Sequence, residues 1–210
     1  MPRIAELREP AEPASADQKE RYGRILRAAA RLGTAHGHDH MQMTDVAKEA
    51  GVAIATLYRY FPSKNDLFLG LLRSQVNTLV PVTMDAAKGS AATAVAETLI
   101  NASGGLLQRP KLATAMLQAN NVAQLQAGRE GSDVTNAFHG ILFRALGVEE
   151  PDGRDHRMVR LVEQAWYGVL LSVLNSVITY EECIDDIRLM CELLLGPTYD
   201  QPRDDAQEQE

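Results

Sequence analysis

Residues 43–60, which read MTDVAKEAGVAIATLYRY, decide the fold of this chain. Folded as two short helices, the stretch turns small and apolar residues inward at Val46, Ala50, Val52, Leu57 and Tyr60. Ala47 is small where the two helices cross, and Gly51 stands at the turn, where glycine adopts a positive φ without steric cost. The pattern therefore predicts a helix-turn-helix whose second helix is ended by Pro62.

The second helix of this motif leaves outward a set of side chains suited to DNA: Ile54, Ala55, Thr56, Tyr58 and Arg59. Small residues let the backbone approach a groove, hydroxyl groups bond phosphates, and an arginine forks onto guanine or a phosphate. These residues favour a recognition helix. The alternative is a plain pair of packing helices, because helix-turn-helix patterns also arise without DNA binding.

The pattern begins with Ala47 and Ala50-Gly51-Val52. It continues through Thr56-Leu57-Tyr58 and Tyr60-Phe61, and then beyond the motif to Ser63-Lys64 and Leu67. In this order and spacing the sequence resembles the TetR family of bacterial transcriptional repressors. Two residues depart from the family pattern: Gln42 and Ala53 stand where Thr and Ser usually cap the two helices. A missing cap costs about 1 kcal/mol, and we expect packing to hold both helices in its place.

The resemblance implies an all-α fold. A three-helix DNA-binding domain would be joined by a fourth helix to a helical domain for ligand binding and dimerisation. It implies a homodimer that binds double-stranded operator DNA and is released by a small molecule. The residues that it places at DNA are Thr44, Ile54, Ala55, Thr56, Tyr58, Arg59, Tyr60 and Lys64.

Within the family, Gln42-Met43, residues 56–64 and residues 112–116 are most similar to the repressors of cholesterol catabolism in actinobacteria. That similarity implies a hydrophobic effector, either steroid-derived or a fatty acyl-CoA. A regulator of efflux or of another catabolic pathway, with a different apolar ligand, is the alternative within the family. A helical adaptor or an enzyme without DNA binding is the alternative outside it.

The composition is that of an ordinary globular protein, with 45% apolar and 23% charged residues among 210. No apolar run approaches the roughly 20 residues that span a bilayer, and no apolar signal-peptide core opens the chain, so we expect a cytoplasmic protein. The net charge of −7 is a sum over the whole chain and does not describe the part that holds the motif. Residues 17–66 hold eight Lys and Arg against six Asp and Glu, so the part with the motif is slightly basic.

Neither a metal nor a cofactor is predicted, and no enzyme. His36, His38 and His40 alternate, but no cysteine or carboxylate cluster completes a metal site. Cys183 and Cys191 are expected to be free thiols with a packing role, since on one helix they would lie about 12 Å apart. No nucleophile–base pair or phosphate-binding glycine loop appears.

Four segments are predicted: a mobile arm (1–16), the DNA-binding domain (17–66), the ligand-binding and dimerisation domain (67–196) and a disordered acidic tail (197–210). Arg3 and Arg8 of the arm could reach a minor groove, although the glutamates beside them favour a solvated tail. The first helix is expected over residues 17–35. A capped fourth helix is expected from Ser63, within a helical region that ends at Gly89-Ser90.

The remainder is predicted to be helical, over 92–107, 110–126, 132–146, 154–180 and 182–195. The last two helices are apolar over more than one face, and a helix of that kind needs a second neighbour. A partner subunit fits this need, and the family resemblance places the dimer contact on these helices.

Apolar residues with a few polar ones among them indicate a small-molecule pocket in the middle helices, or an ordinary core with one wet edge. The candidate ligand residues are Met116, Asn120, Phe138, Leu142 and Trp166. The fourth helix, which connects them to the DNA-binding motif, is the predicted switching element.

Overall fold

The computed structural model describes residues 11–127 and 132–200, and within these ranges all regular structure is helical. The elements in chain order are α1 (Ala16–His40), α2 (Met43–Ala50), α3 (Ile54–Tyr60), α4 (Lys64–Thr78), α5 (Ala91–Leu107), α6 (Pro110–Ala127), α7 (Asp133–Leu146), α8 (Gly153–Leu174), α9 (Tyr180–Leu195) and a π-helical turn (Gly196–Asp200). The all-α prediction is confirmed. Arg3 and Arg8 of the predicted arm, and the tail from residue 201, lie outside the described residues.

The helices form two compact units. The first comprises Met1–Asn77 and Arg109–Val134, and therefore contains α1 to α4 and α6; the second comprises Thr78–Gln108 and Thr135–Glu210, with α5, α8, α9 and most of α7. This grouping by contacts differs from the predicted division after residue 66, because α6 packs against α1 and α4 packs against Phe61 at the end of α3.

The first unit is built around an aromatic and aliphatic core. The ring of Tyr22 on α1 meets Tyr60 edge-on at 5.7 Å and Phe61 at 5.0 Å between centroids. Leu57 and Phe68 of the same unit are fully buried. Such burial contributes roughly 1.5–3 kcal/mol for each large apolar side chain, so this core holds the short helices α2 and α3 in place.

The turn between α2 and α3 takes the form that its sequence predicts. Gly51 has φ +64° and ψ +44°, a left-handed conformation. Its N–H donates to Lys48 O at 3.2 Å, and the N–H of Val52 donates to Ala47 O at 3.0 Å. This pair of bonds is a Schellman motif, which satisfies the last carbonyls of α2. Gln42 and Ala53 make no side-chain cap, and both helices form without one.

Three helix boundaries were wrong. The first helix runs on to His40, with a break at Gly37, where φ is +67°, instead of ending near residue 35. α4 ends at Thr78, well short of the predicted Gly89, because Pro81 lacks an N–H and disfavours helical geometry at Val80.

The third correction concerns α8, which ends at Leu174 although the sequence suggested a helix to Tyr180. Ser176 adopts φ +58°, and the N–H of Val177 returns to Ser172 O at 2.8 Å. Thr179 then caps α9 through Glu182 N. Polar residues alone thus close one helix and open the next, without the glycine or proline that usually marks such a boundary.

In the second unit α5, α8 and α9 pack together around buried residues that include Leu99, Leu170 and Ile187. Cys183 and Cys191 are both free and buried on the inner side of α9. Burial raises the pKa of the Cys191 thiol to about 12, so it stays protonated at neutral pH.

Residues 197–200 belong to the π-helical turn after α9, which corrects the predicted disorder for this first part of the tail. Asp200 Oδ1 accepts hydrogen bonds from the backbone N–H groups of Ala91 (2.7 Å) and Ala92 (3.3 Å), while Oδ2 accepts from Ser90 Oγ. The Tyr199 hydroxyl donates to Asp155 Oδ1 at 2.6 Å. A carboxylate at the start of α5 is favoured by the free N–H groups there, so residues 197–200 cap that helix.

Replacing Gly70 by alanine tests the packing of α4 against the motif. A Cβ at Gly70 would lie 2.6 Å from Phe61 Cε1, and Phe61 is buried. Overpacking of this kind costs about 1–3 kcal/mol, so we expect Gly70→Ala to lower the free energy of unfolding by that amount in denaturant titrations. Gly105→Ala is the matched control: nothing lies within 4 Å of its Cβ position on α5, and it should be neutral or stabilising. Equal stability of the two variants would contradict the packing described.

Candidate DNA-binding surface and ligand-binding residues

The outer face of α3 exposes a compact group of side chains. Tyr58 is 47% exposed, and Ile54, one turn before it, is also exposed. Ala55 and Arg59 are exposed beside them, whereas Thr56 is half-buried. We call Ile54, Ala55, Tyr58 and Arg59 the recognition surface. It offers apolar contact, a hydroxyl group and a guanidinium, which are the groups that read base edges and bind phosphates.

Tyr60 is not part of this surface. Its side chain is 2% exposed, because its ring packs edge-on against Tyr22. The expectation that Tyr60 lines the DNA groove is therefore wrong. Tyr60 faces the inside, as the spacing of apolar residues in the motif predicts. Its hydroxyl still acts on the surface indirectly, since it accepts a hydrogen bond from Arg59.

Arg59 is held in a defined position by its neighbour. Its Nη2 donates to the Tyr60 hydroxyl at 3.1 Å, and its Cζ lies 5.0 Å from the centroid of the Tyr60 ring. A cation over an aromatic ring is stabilised by roughly 0.5–1 kcal/mol at exposed sites. The guanidinium is thus oriented before any ligand arrives, which lowers the entropy cost of a contact.

Lys64 and Thr44 lie at helix starts. The Ser63–Asp66 cap is formed as predicted, with Ser63 N donating to Asp66 Oδ2 at 2.8 Å and Asp66 N to Ser63 Oγ at 3.1 Å. Lys64, in the first turn of α4, is half-buried and donates from Nζ to the carbonyl of His38 at 2.8 Å. The Lys64 ammonium has three N–H donors and makes one hydrogen bond here, so donors are left that can bind a phosphate. A phosphate contact by Lys64 stays a prediction. Thr44, in the first turn of α2, is exposed.

The backbone just before α1 touches the recognition helix. The N–H of Ala11 donates to the carbonyl of Arg59 at 3.0 Å. This bond satisfies one of the last carbonyls of α3, which no following helical turn can reach. Sequence reasoning missed it, because nothing in the residues around Ala11 signals a long-range backbone contact.

Two of the predicted ligand residues are in direct contact in the second unit. The rings of Phe138 and Trp166 stack with centroids 5.1 Å apart and an angle of 23°. Trp166 Nε1 donates to Ser103 Oγ at 2.8 Å, and Ser103 Oγ donates to Leu99 O at 2.7 Å. Leu142 is fully buried. Ser103 was missed by the sequence analysis, although a lone serine among the apolar residues of α5 was its signal.

The other two predicted ligand residues, Met116 and Asn120, lie in the first unit, on α6. Both are buried, and Ser132 Oγ donates to Asn120 Oδ1 at 3.4 Å. The five candidates are therefore divided between the two units, and their assembly into one pocket stays a prediction.

Three histidines of the described part of the chain have structural partners. Glu163 Oε2 lies 2.7 Å from His139 Nε2, with both side chains mostly buried. The ring of His156 packs edge-on against Phe143 at 5.0 Å. His38 binds Asn65 Oδ1 through Nε2 at 3.0 Å. Within residues 11–127 and 132–200, no group of three or more His, Cys, Asp or Glu could hold a metal ion.

Across the same described ranges, none of the helices is long and apolar enough to cross a bilayer.

The two halves of the sequence match two family descriptions. Residues 25–71, which include α2 and α3, match "Bacterial regulatory proteins, tetR family". Residues 89–194, which include α5 to α8, match "Tetracyclin repressor-like, C-terminal domain". The chain belongs to the TetR family of bacterial regulatory proteins.

Relatives extend over nearly the whole chain. The HTH-type transcriptional repressor KstR of Mycolicibacterium smegmatis is 31% identical over 205 residues, which are 97% of this chain and 100% of that protein. KstR of Mycobacterium tuberculosis is 30% identical over 196 residues, 92% of this chain and 89% of that one. These relatives are named as repressors and not as enzymes, and they confirm the resemblance to KstR-type regulators.

A solved structure agrees with the fold. The crystal structure of a TetR transcriptional regulator from Rhodococcus sp. RHA1 superposes with a TM-score of 0.75 at 40% identity, covering 85% of this chain and 97% of that one.

Proposed function

We propose that this protein is a ligand-responsive transcriptional repressor that binds operator DNA as a homodimer and is released by a hydrophobic small molecule. The observation that carries the proposal is the recognition surface of α3, which presents Tyr58, Ile54 and an oriented Arg59 from a rigid core. The similarity to KstR repressors over the whole chain supports it. A regulator acting on chromosomal DNA works in the cytoplasm.

The proposed dimer contact lies on α8 and α9. Leu189 and Leu193, one turn apart on α9, are 54% and 66% exposed, and Leu161 on α8 is exposed as well. A stripe of exposed leucines is costly in water, and a twofold-related copy would cover it with the same stripe. Leu170 does not belong to this contact, because it is fully buried within one chain.

The proposed effector is hydrophobic, a steroid or fatty acyl-CoA whose polar end reaches solvent. Phe138, Leu142 and Trp166 offer it apolar and aromatic surface, and the Ser103 hydroxyl beside Trp166 is a polar group of the kind that fixes ligand orientation. A TetR-family regulator of efflux or another catabolic pathway would use the same kind of surface for a different apolar ligand. Titration with ligands of both kinds separates these alternatives.

Switching is proposed to act through α4 and α6 within the first unit. A Cβ at Gly33 of α1 would lie 2.8 Å from Leu112 Cδ1 of α6 and 3.0 Å from Phe68 Cε1 of α4, so three helices meet at this glycine. Interfaces so tightly packed move in discrete steps rather than by gradual deformation. A displacement of Met116 on α6 would therefore shift α4, which begins directly after the recognition helix.

Trp166 gives the direct measurement of effector binding, since it is the single tryptophan of the chain. We expect an acyl-CoA or steroid ligand to change its fluorescence and, at the same concentration, to weaken the operator complex by about 5- to 150-fold, the usual range of allosteric coupling. Phe138→Ala should weaken ligand binding more than operator binding. A hydrophobic ligand that binds tightly and leaves the DNA affinity unchanged would contradict the coupling. Tight binding of small polar ligands alone would contradict the choice of site.

A further inference from the structure

Most of the positive charge in the DNA-binding part of the chain lies on α1 and not on the recognition helix. Five of the eight Lys and Arg within residues 17–66 are on α1. Near the recognition surface, Arg59 is bonded to Tyr60 and Lys64 to the carbonyl of His38. Because DNA affinity depends mainly on phosphate neutralisation, the placement of the α1 cations is informative.

Three of these cations share one concave surface. Arg24, Arg27 and Arg31 follow one another at intervals of three and four residues, which places them on one side of α1. With Ala28 of α1, and Glu49 and Ala50 of α2, they line a recess of about 290 Å³. We call it the arginine recess.

The charges in the arginine recess do not balance. Arg31 pairs with Glu49. Arg24 and Arg27 have no carboxylate partner in the described part of the chain, and there the buried Nε of Arg24 also lacks any hydrogen-bond acceptor. Two guanidinium groups thus remain uncompensated in a concave site. Guanidinium groups bind phosphate through paired, charge-assisted hydrogen bonds, and an unmet N–H donor favours such an acceptor.

We propose that the arginine recess binds a phosphate group through Arg24 and Arg27, with Arg31 held beside them by Glu49. Nη1 of Arg24 lies 3.8 Å from the Cβ position of Gly51, so the bound phosphate would sit next to the turn of the helix-turn-helix. The operator backbone is one source of that phosphate, and this source rests on the proposed function. A free phosphate-bearing molecule is the other source.

The first test measures the salt dependence of operator binding. Arg27 is exposed on α1, so Arg27→Gln removes one charge with little effect on packing. We expect the slope of log K against log salt concentration to become shallower by about 0.9, the value for one phosphate contact. Arg144→Gln removes the same charge from an exposed position on α7, outside the proposed dimer contact, and should leave the slope unchanged.

The second test uses inorganic phosphate alone, so it does not depend on DNA binding. Phosphate is titrated against chloride at constant ionic strength, and the arginine Nε–H resonances are followed by NMR in the wild type and in Arg27→Gln. We expect a saturable shift of the Arg24 resonance that the variant weakens at least several-fold.

The outcomes of the two tests are distinct. A shallower operator slope assigns the phosphate to DNA, whereas an unchanged slope together with saturable phosphate binding assigns it to a free ligand; both support the site. An unchanged slope without saturable phosphate binding overturns the proposal and leaves the arginines as a solvated face. If the wild type binds no operator at all, the proposed function fails. The phosphate titration still tests whether the arginine recess binds phosphate.

Discussion

Leu189→Glu and Leu193→Glu, singly or together, are expected to turn the dimer into a folded monomer that no longer holds its operator. Both leucines are largely exposed in the single chain, at 54% and 66%, so a carboxylate there leaves the monomer core intact. Across a twofold contact the same carboxylate would be buried without a partner, at a cost of several kcal/mol. A monomer binds only one half-site, and the loss of bivalent binding lowers the operator affinity by about 10²-fold or more.

Light scattering and DNA-binding anisotropy measure both effects in the same sample. Leu125→Glu is the matched control, since this leucine of α6 is 86% exposed and lies away from α8 and α9 in the sequence. It should leave the mass at twice 23.0 kDa. A wild-type protein that is monomeric at micromolar concentration would contradict the dimer, as would variants that remain dimeric. Leu170→Glu does not serve this test, because a charge at that fully buried position would unfold the second unit.

Tyr58→Ala is expected to weaken operator binding by about 5- to 150-fold, which corresponds to the roughly 1–3 kcal/mol of a good base or phosphate contact. The side chain is 47% exposed, so stability should change by no more than about 0.5 kcal/mol. The measurement is fluorescence anisotropy on labelled operator, with unfolding curves on the same preparations.

Two further substitutions sharpen the interpretation of Tyr58→Ala. Tyr58→Phe keeps the ring and removes the hydroxyl: an affinity like that of the alanine variant assigns the contact to the hydroxyl, and a wild-type affinity assigns it to the ring. Leu57→Ala changes the neighbouring residue, which is fully buried, and should cost about 2–5 kcal/mol of stability instead. Unchanged operator affinity in Tyr58→Ala would remove α3 from the DNA interface.

The elements that could be predicted from the sequence are those with a local signal. Gly51 is needed at a left-handed turn, Pro62 follows the end of α3, and the Ser63–Asp66 cap starts α4; each depends on residues within a few positions. The alternation of buried and exposed residues on α3 likewise follows from helical spacing, so Tyr58 and Arg59 were placed correctly on the surface.

What could not be predicted depends on contacts between distant residues. The ordering of residues 197–200 rests on Asp200 meeting the start of α5, about a hundred residues away. The hydrogen bond from Lys64 to His38, and the meeting of Gly33 with Leu112 and Phe68, are also set by packing. For Tyr60 two predictions disagreed. The family resemblance placed it at DNA, whereas helical spacing placed it inside, and the structure buries it against Tyr22.

The most direct test of the central claim is a selection of genomic DNA fragments by the purified wild-type protein, repeated with Tyr58→Ala. The proposed function predicts that the wild type enriches an inverted repeat whose half-sites lie one helical turn, about 34–36 Å, or a multiple of it, apart. It also predicts that Tyr58→Ala loses the enrichment while remaining folded. No enrichment by the wild type at low salt, or equal enrichment by both proteins, would contradict the claim that this chain is a repressor that reads DNA through α3.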